Sequence, residues 1–263
     1  MDFGLNNRSA LVCGASSGLG KAIALGLARE GSRVAICART PEKLLRAADE
    51  IRKDTNAEIL PIVADVSVPS RVKNLVEQTV AHFGGIDILI ANAGGPPFGH
   101  FLDQPEDAWL KALELNLLST VHLCRAVVPH MKSARWGRII AVASFVAKQP
   151  LDGLILSNMS RAGVLGFMKS LANELGPHNI LVNTVCPGTI ETERLMTLFK
   201  RQAEQAGISF EDHRRNQSKS IPLQRNGLPK ELANFVVFLA SEKASYITGS
   251  VLQVDGGLIR SLF

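Results

Sequence analysis

Tyrosine is almost missing from this chain. There is one, Tyr246, among 263 residues, and aromatic residues make up only 5%. Excess charge is also scarce: 29 basic against 24 acidic side chains leave a net +5. A nucleic-acid surface needs a larger basic excess interleaved with aromatics, so no nucleic-acid partner is expected. The one basic thickening runs from Lys200 to Arg225, through Arg201, Arg214, Arg215 and Lys219. It reads as a solvated helix face or a docking patch for an anionic substrate.

Long apolar runs are absent as well. No stretch of about 18 uncharged residues exists to span a bilayer. The segment from Met1 to Arg8 carries Asp2 and no apolar core, unlike a signal peptide. Cys13, Cys37, Cys124 and Cys186 lie far apart without C-x-x-C spacing. That argues against a disulfide framework or zinc site and for a reducing cytosol, hence a cytoplasmic location. His82, His100, His122, His130, His178 and His213 show no clustering, so no metal is expected.

What is present is ordinary globular usage, with 46% hydrophobic and 20% charged residues. There is no repeat and no linker, so residues 1–263 read as one domain. Strand-like runs fall at Ser9–Cys13, Arg33–Ala38, Glu58–Ala64, Ile86–Ala91, Gly137–Ala143, Asn179–Val185 and Ser250–Val254. Between them lie helix-period segments. The first begins near Gly18 and stops at Gly31. The second opens with Thr40 as N-cap and Pro41 in the first turn. A third runs from Ser67-Val68-Pro69 to Gly84-Gly85. Longer ones run from about Pro105 to Met131 and from about Leu154 to Leu175, and a last from Lys230 to Ser241. Pro187 to Leu223 reads as a polar, irregular or short-helical insertion, expected to act as a substrate lid over about 187–224. This alternation predicts an α/β fold, a Rossmann-type doubly wound parallel sheet of seven strands. Ligands of such sheets bind beyond the carboxyl ends of the strands.

The first strand ends in Gly14-Ala15-Ser16-Ser17-Gly18-Leu19-Gly20. Glycines there let the backbone turn sharply and approach a pyrophosphate, and the next helix aims its free N–H groups at that anion. Further along stand Ala64-Asp65-Val66, Asn92-Ala93-Gly94, Asn116, Ser144, Pro187-Gly188, Tyr246-Ile247-Thr248-Gly249 and Asp255-Gly256-Gly257. In this order the motifs resemble the short-chain dehydrogenase/reductase family, near its 3-oxoacyl-(acyl-carrier-protein) reductase-like branch, over nearly the whole chain.

The resemblance implies roles. Gly14, Ser16, Ser17, Gly18, Leu19 and Gly20 would cradle the dinucleotide. Asp65 would accept from the adenine amino group, with the Val66 backbone beside it. Asn92, Ala93 and Gly94 would line the adenosine ribose and support the sheet. Pro187, Gly188, Ile190 and Thr192 would hold the nicotinamide, although Thr192 also reads as a helix N-cap. Asn116 and Ser144 would serve catalysis. The family's long helices pair across a dimer interface, implying a homodimer or homotetramer.

Two residues bear on specificity and chemistry. A carboxylate after the second strand would repel a 2′-phosphate. This chain has Ala38 and then Arg39, whose guanidinium can grip a phosphate. NADP is therefore expected in preference to NAD, although Ser17 stands where NADP users often add a basic residue. The family's Y-x-x-x-K motif falls about 13 residues after its serine. Here that register gives Ser157 for the tyrosine and Arg161 for the lysine. A serine hydroxyl is shorter and much less acidic than a phenol, and an arginine keeps its proton at any relevant pH. Arg161 could still hold ribose hydroxyls and supply charge. Lys148 and Asp152 are candidate replacement donors, with His100 and His213 behind them. Two readings stay open. One is a reductase or dehydrogenase acting on a small carbonyl or alcohol substrate, acyl thioesters included, through an atypical tetrad. The other is a dinucleotide-binding protein with little or no activity, serving as partner subunit or sensor.

Overall fold

The computed structural model describes residues 2–262. Met1 and Phe263, the two ends of the expected 1–263 domain, lie outside the described residues. Seven strands form one parallel sheet: β1 (Ser9–Cys13), β2 (Arg33–Ala38), β3 (Ile59–Val63), β4 (Ile88–Asn92), β5 (Gly137–Val142), β6 (Ile180–Pro187) and β7 (Val251–Val254). Their spatial order is β3-β2-β1-β4-β5-β6-β7. The chain thus winds outward in one direction to β3, returns to pair β4 with β1, and winds the other way. The crevice that opens between β1 and β4 at their carboxyl ends is the switch point where such sheets bind ligands.

Alternation along the strands builds a core on each face. Ala10, Val12, Val34, Ile36, Ile88, Ile90, Ile140 and Val142 pack on one side. There they meet helices α1 (Gly18–Arg29), α2 (Pro41–Thr55) and α9 (Pro229–Ala240). Leu11, Cys13, Ala35, Cys37, Leu89, Ala91, Ile139 and Ala141 pack on the other. Their partners are α3 (Pro69–Phe83), α5 (Ser119–Ala134) and α6 (Ile155–Leu175). Each fully buried Leu, Ile or Val contributes about 1.5–3 kcal/mol, which is why most strand positions are apolar on both faces, with Arg138, Asn183 and Thr184 among the buried polar exceptions. All four cysteines are buried and unbridged.

The expected elements are present, with ends shifted by a few residues. One correction concerns the site. The helix expected from Pro105 to Met131 is not continuous. It starts as α4 (Glu106–Leu113), passes through one π turn at Glu114–Leu118, and resumes as α5, which runs on to Ala134. Of the two forms expected for the insertion after β6, irregular or short-helical, it takes the helical one, with α7 (Glu193–Ala206) and α8 (Phe210–Ser218). They pack through buried Phe199, Ala203 and His213. A smaller correction falls on Thr40, which stands at the N-cap of α2 but makes no side-chain capping bond.

The two ends of the insertion are tied together. Ile190 bridges Gly227 in parallel register. Glu191 N donates to Gly227 O at 2.8 Å, and Gly227 N donates to Thr189 O at 2.9 Å. Arg214 pairs with Glu191, and Arg225 with Glu231. Arg225 and the Leu228 N–H hold the Glu231 carboxyl down at about 2, so this pair stays charged through the neutral range.

Candidate active site

The glycine turn sits at the carboxyl end of β1. Gly14 (φ +61°) and Gly18 (φ +55°) adopt left-handed backbone, which glycine enters without a Cβ penalty. A Cβ on Gly20 would collide with the Gly14 carbonyl oxygen, so the first turn of α1 lies flat against the loop. Ser17 occupies the N-cap of α1 without making a side-chain cap. The free N–H groups of this helix end therefore keep their capacity for an anion. Asn92 ties the neighbouring strand to the turn, donating from Nδ2 to Cys13 O (3.1 Å) and Gly14 O (3.3 Å). Arg39 follows β2, exposed, with no bonded partner among the described residues. Asp65 uses one carboxylate oxygen to accept from Ser67 N (3.0 Å) and Ser67 Oγ (2.7 Å), and its other oxygen remains for a ligand. Val66 is buried beside it. These residues fit a dinucleotide: a glycine cradle, an open helix end, and a free guanidinium beyond β2.

Thr192 is the N-cap of α7, its hydroxyl accepting from Leu195 N at 3.3 Å. Its methyl covers Gly18, at 3.3 Å from where a Cβ would sit. Gly188 lies so close to Asp255 that no side chain would fit, and Gly188 N donates to Val254 O at 3.0 Å. The Pro187–Thr192 segment is thus drawn over the switch point. Ile190 is buried against Gly227, where its side chain serves the insertion's base.

The π turn turns Asn116 inward, as such widened turns do at functional sites. Asn116 Nδ2 donates to Gly94 O at 2.9 Å, and Asn116 Oδ1 accepts from Ser160 Oγ at 3.1 Å. Ser160 is fully buried, and the sequence reading passed over it. Ser144 caps a short 3-10 turn, Phe145–Ala147, its hydroxyl accepting from Val146 N at 3.4 Å.

Arg161 is the anchor of the site. Nε donates to Ser157 Oγ at 3.2 Å, Nη1 to Ala143 O at 2.6 Å and Val142 O at 3.3 Å, and Nη2 to Gly94 O at 3.4 Å. Ser157, one helical turn away on α6, is buried and acts as acceptor for this guanidinium. Burial, and then the nearby charge of Arg194, lower Arg161 to about 10. It remains a cation at neutral pH.

Lys148 is half-buried behind Ser144, and its charge reaches the buried Cys186 thiol, as does that of Arg161. Burial holds that thiol up at about 11, so it stays protonated. The other donor candidates stand apart. Asp152 is exposed in a turn, and His100 is exposed. His213 is buried in the insertion, bonded to Gln202 Oε1 at 3.1 Å and edge-on to Phe199. Tyr246 is fully exposed.

The reading from sequence missed Arg194. It donates from Nη2 to Pro96 O at 3.3 Å and lies over the Gly94-Gly95 backbone. One signal was available. A cation in the first turn of a helix opposes the helix dipole, so a residue there serves something other than the helix.

A family model described as enoyl-(acyl carrier protein) reductase matches residues 14–259. The chain is 37% identical to dehydrogenase/reductase SDR family member 4 of Bos taurus, covering 98% of this chain and 89% of that protein. It is 36% identical to the 3-oxoacyl-(acyl-carrier-protein) reductase of Aquifex aeolicus, covering 98% and 100%. Among solved structures it resembles L-sorbose reductase from Gluconobacter frateurii complexed with NADPH and L-sorbose. The TM-score is 0.96 and the identity 36%, with both chains fully covered.

Proposed function

The chain belongs to the short-chain dehydrogenase/reductase family, and from that premise we propose that it is an NADP-dependent oxidoreductase acting on a small carbonyl compound or its alcohol. The observation that carries this reading is the free Arg39 guanidinium beyond β2, beside a glycine turn and an open helix end. That set suits a dinucleotide with a 2′-phosphate, and the sorbose reductase it resembles was solved with NADPH. When bound, the dinucleotide supplies or accepts the hydride.

The chain's own residues then polarise and position. Ser144 Oγ donates to the substrate oxygen. Arg161 supplies a fixed positive charge, held in place by the Val142, Ala143 and Gly94 carbonyls. Its one uncommitted N–H is left for a ribose hydroxyl. Asn116 fixes the Gly94 carbonyl on which Arg161 leans. Ser157 orients the Arg161 side chain rather than delivering a proton. Lys148 is the better proton source through a water, being half-buried behind Ser144 while Asp152 is exposed. Thr192 and α7–α8 form a lid, hinged at the Ile190–Gly227 bridge. Met159 is exposed and Gly166 faces open space on α6, which supports pairing of this face in a homodimer or homotetramer. Among the described residues no helix is long and apolar enough to cross a membrane; a cytoplasmic location belongs to the same proposal.

A second reading rests on one observation, that the Ser157 hydroxyl is already engaged by Arg161. Under it the protein binds the dinucleotide without turning over. The test pairs an NADPH-oxidation screen across carbonyl substrates with calorimetric titration. Turnover with tight NADPH binding is expected. Arg39→Ala should weaken NADPH by about 1.5–3 kcal/mol, the scale of a hydrogen bond to a charged group, and leave NADH nearly unchanged. Binding without turnover over a broad panel selects the second reading. Equal losses for both dinucleotides would remove Arg39 from phosphate recognition.

A further inference from the structure

Arg161 and Arg194 stand on either side of Gly94, and every polar partner they have is neutral. Arg161 donates to three carbonyl oxygens and one hydroxyl. Arg194 donates to the Pro96 carbonyl alone, at 3.3 Å. Neither forms an ion pair among the described residues. In the same segment of chain Arg214, Arg215 and Arg225 are each paired with an acidic side chain, and Arg201, unpaired among the described residues, lies exposed in solvent away from the Gly94 loop contacts that hold Arg194. Burial lowers the pKa of the Arg194 guanidinium even though the residue as a whole is exposed, because its tip is pressed on the Gly95 backbone. Its charge in turn disfavours that of Arg161. Lys148 adds a third positive charge close by, felt at Cys186 together with that of Arg161.

Uncompensated like charges in a partly desolvated cleft are costly and attract an anion. Loop carbonyls satisfy the N–H groups but leave the charge unbalanced. Two positions separate Thr192 from Arg194, about half a turn of helix. Thr192 covers Gly18 of the dinucleotide cradle, whereas Arg194 reaches to Gly95 and Pro96. The diphosphate side of the cleft already has the open end of α1. Arg194 therefore serves the opposite side, over Gly95 and beside Arg161, where a planar guanidinium fork matches a carboxylate.

We propose that Arg194 is a specificity-determining residue whose guanidinium receives a carboxylate carried by the substrate, Arg161 adding only its charge, so that this protein acts on oxo acids or hydroxy acids in preference to neutral carbonyl compounds. The proposal rests on the oxidoreductase reading and names its substrate class.

The test uses a series of oxo acids from pyruvate to 6-oxoheptanoate, each beside its methyl ester, with NADPH oxidation as the readout. For at least one pair the wild type should favour the acid about 10- to 100-fold in kcat/KM. Arg194→Ala should erase that preference mainly through KM, and Arg194→Lys should recover part of it. NADPH affinity measured by calorimetry should stay within about twofold in both variants. Equal turnover of acids and esters by the wild type would overturn the proposal. So would an equal loss on both in Arg194→Ala. A weakening of NADPH as large as that of the acids would overturn it too, assigning Arg194 to the cofactor's diphosphate. If nothing is turned over in this series or in the broad carbonyl panel, the oxidoreductase reading fails, and binding of butanoate against butanamide, with and without NADPH, decides the anion site separately. Tighter butanoate binding that Arg194→Ala abolishes supports the site, and equal binding of the two overturns it.

Discussion

At the scale of single residues, Arg161 replaces titration with permanence. Its guanidinium is lowered to about 10 by burial and by Arg194, and so is fully charged to about pH 9. The Cys186 thiol behind it stays protonated up to about 11. The chain's one phenol, Tyr246, is fully exposed. Position 157 holds a serine whose hydroxyl accepts from Arg161 Nε at 3.2 Å. For the reductive direction, kcat/KM is expected to stay flat between pH 6 and 9. It should fall as pH nears 10, because losing the Arg161 proton removes the positive charge that polarises the substrate oxygen. Measured profiles with NADPH held saturating check this. A limb with a midpoint near 7 or 8 would assign the proton to a different acid.

At the scale of an element, the π turn at Glu114–Leu118 decides where Asn116 points. One extra residue in the turn shifts the register between α4 and α5, so that Asn116 is buried beneath Gly94 instead of lying on the helix surface. Gly94 is the hub. Its carbonyl accepts from Asn116 and Arg161, and its loop supports Arg194. Asn116→Ala leaves that carbonyl short of its nearest donor and takes from Ser160 its side-chain acceptor. Arg161 still donates to that carbonyl and Ser160 Oγ to Leu156 O, so a loss of about 0.5–1.5 kcal/mol in unfolding free energy is expected for the lost hydrogen bonds, readable by urea denaturation. Because Arg161 leans on the same carbonyl, activity should fall more than stability alone explains. Unchanged urea midpoint and unchanged kcat/KM together would show that Gly94 is held by the sheet without Asn116.

At the scale of the molecule, the sheet sets a rigid floor and α7–α8 a cover tied at both ends. The backbone clasp between Thr189–Glu191 and Gly227, with Leu223 N donating to Gly256 O at 3.3 Å, ties down the base of this insertion, so the proposed lid motion falls to residues 192–220. Lys200, Arg201, Arg215 and Lys219 on that unit are exposed, so trypsin reports its closure. Cleavage at these four sites should slow when NADPH is added, as cofactor contacts with the Pro187–Thr192 segment draw the lid down. Identical cleavage rates with and without NADPH would mean that these helices are a fixed wall.

Much of this was legible along the chain. Runs such as Ser9–Cys13 and Arg33–Ala38 announce strands because burial on both faces demands unbroken apolar residues. The glycine turn announces itself because Gly14 and Gly18 need left-handed backbone and Gly20 has no room for a side chain. Those are local constraints, and each leaves a local residue choice. The π turn left no such mark, since no residue type demands it and the packing of Asn116 against Gly94 favours the wider turn. The helices α7 and α8 were legible only as an irregular or short-helical insertion, because their many charged residues blur the period, although Thr192 and Ser209 cap them and Phe199 packs on His213. Arg161 could be placed by register, but its carbonyl partners lie 18, 19 and 67 residues away, and Arg194 meets Pro96 across 98. Contacts of that span are chosen by the order of strands in the sheet. The unpaired charges that gather around Gly94 are therefore a product of tertiary structure, because a sequence records which residues are charged and only the fold decides which of them are left without a counter-ion.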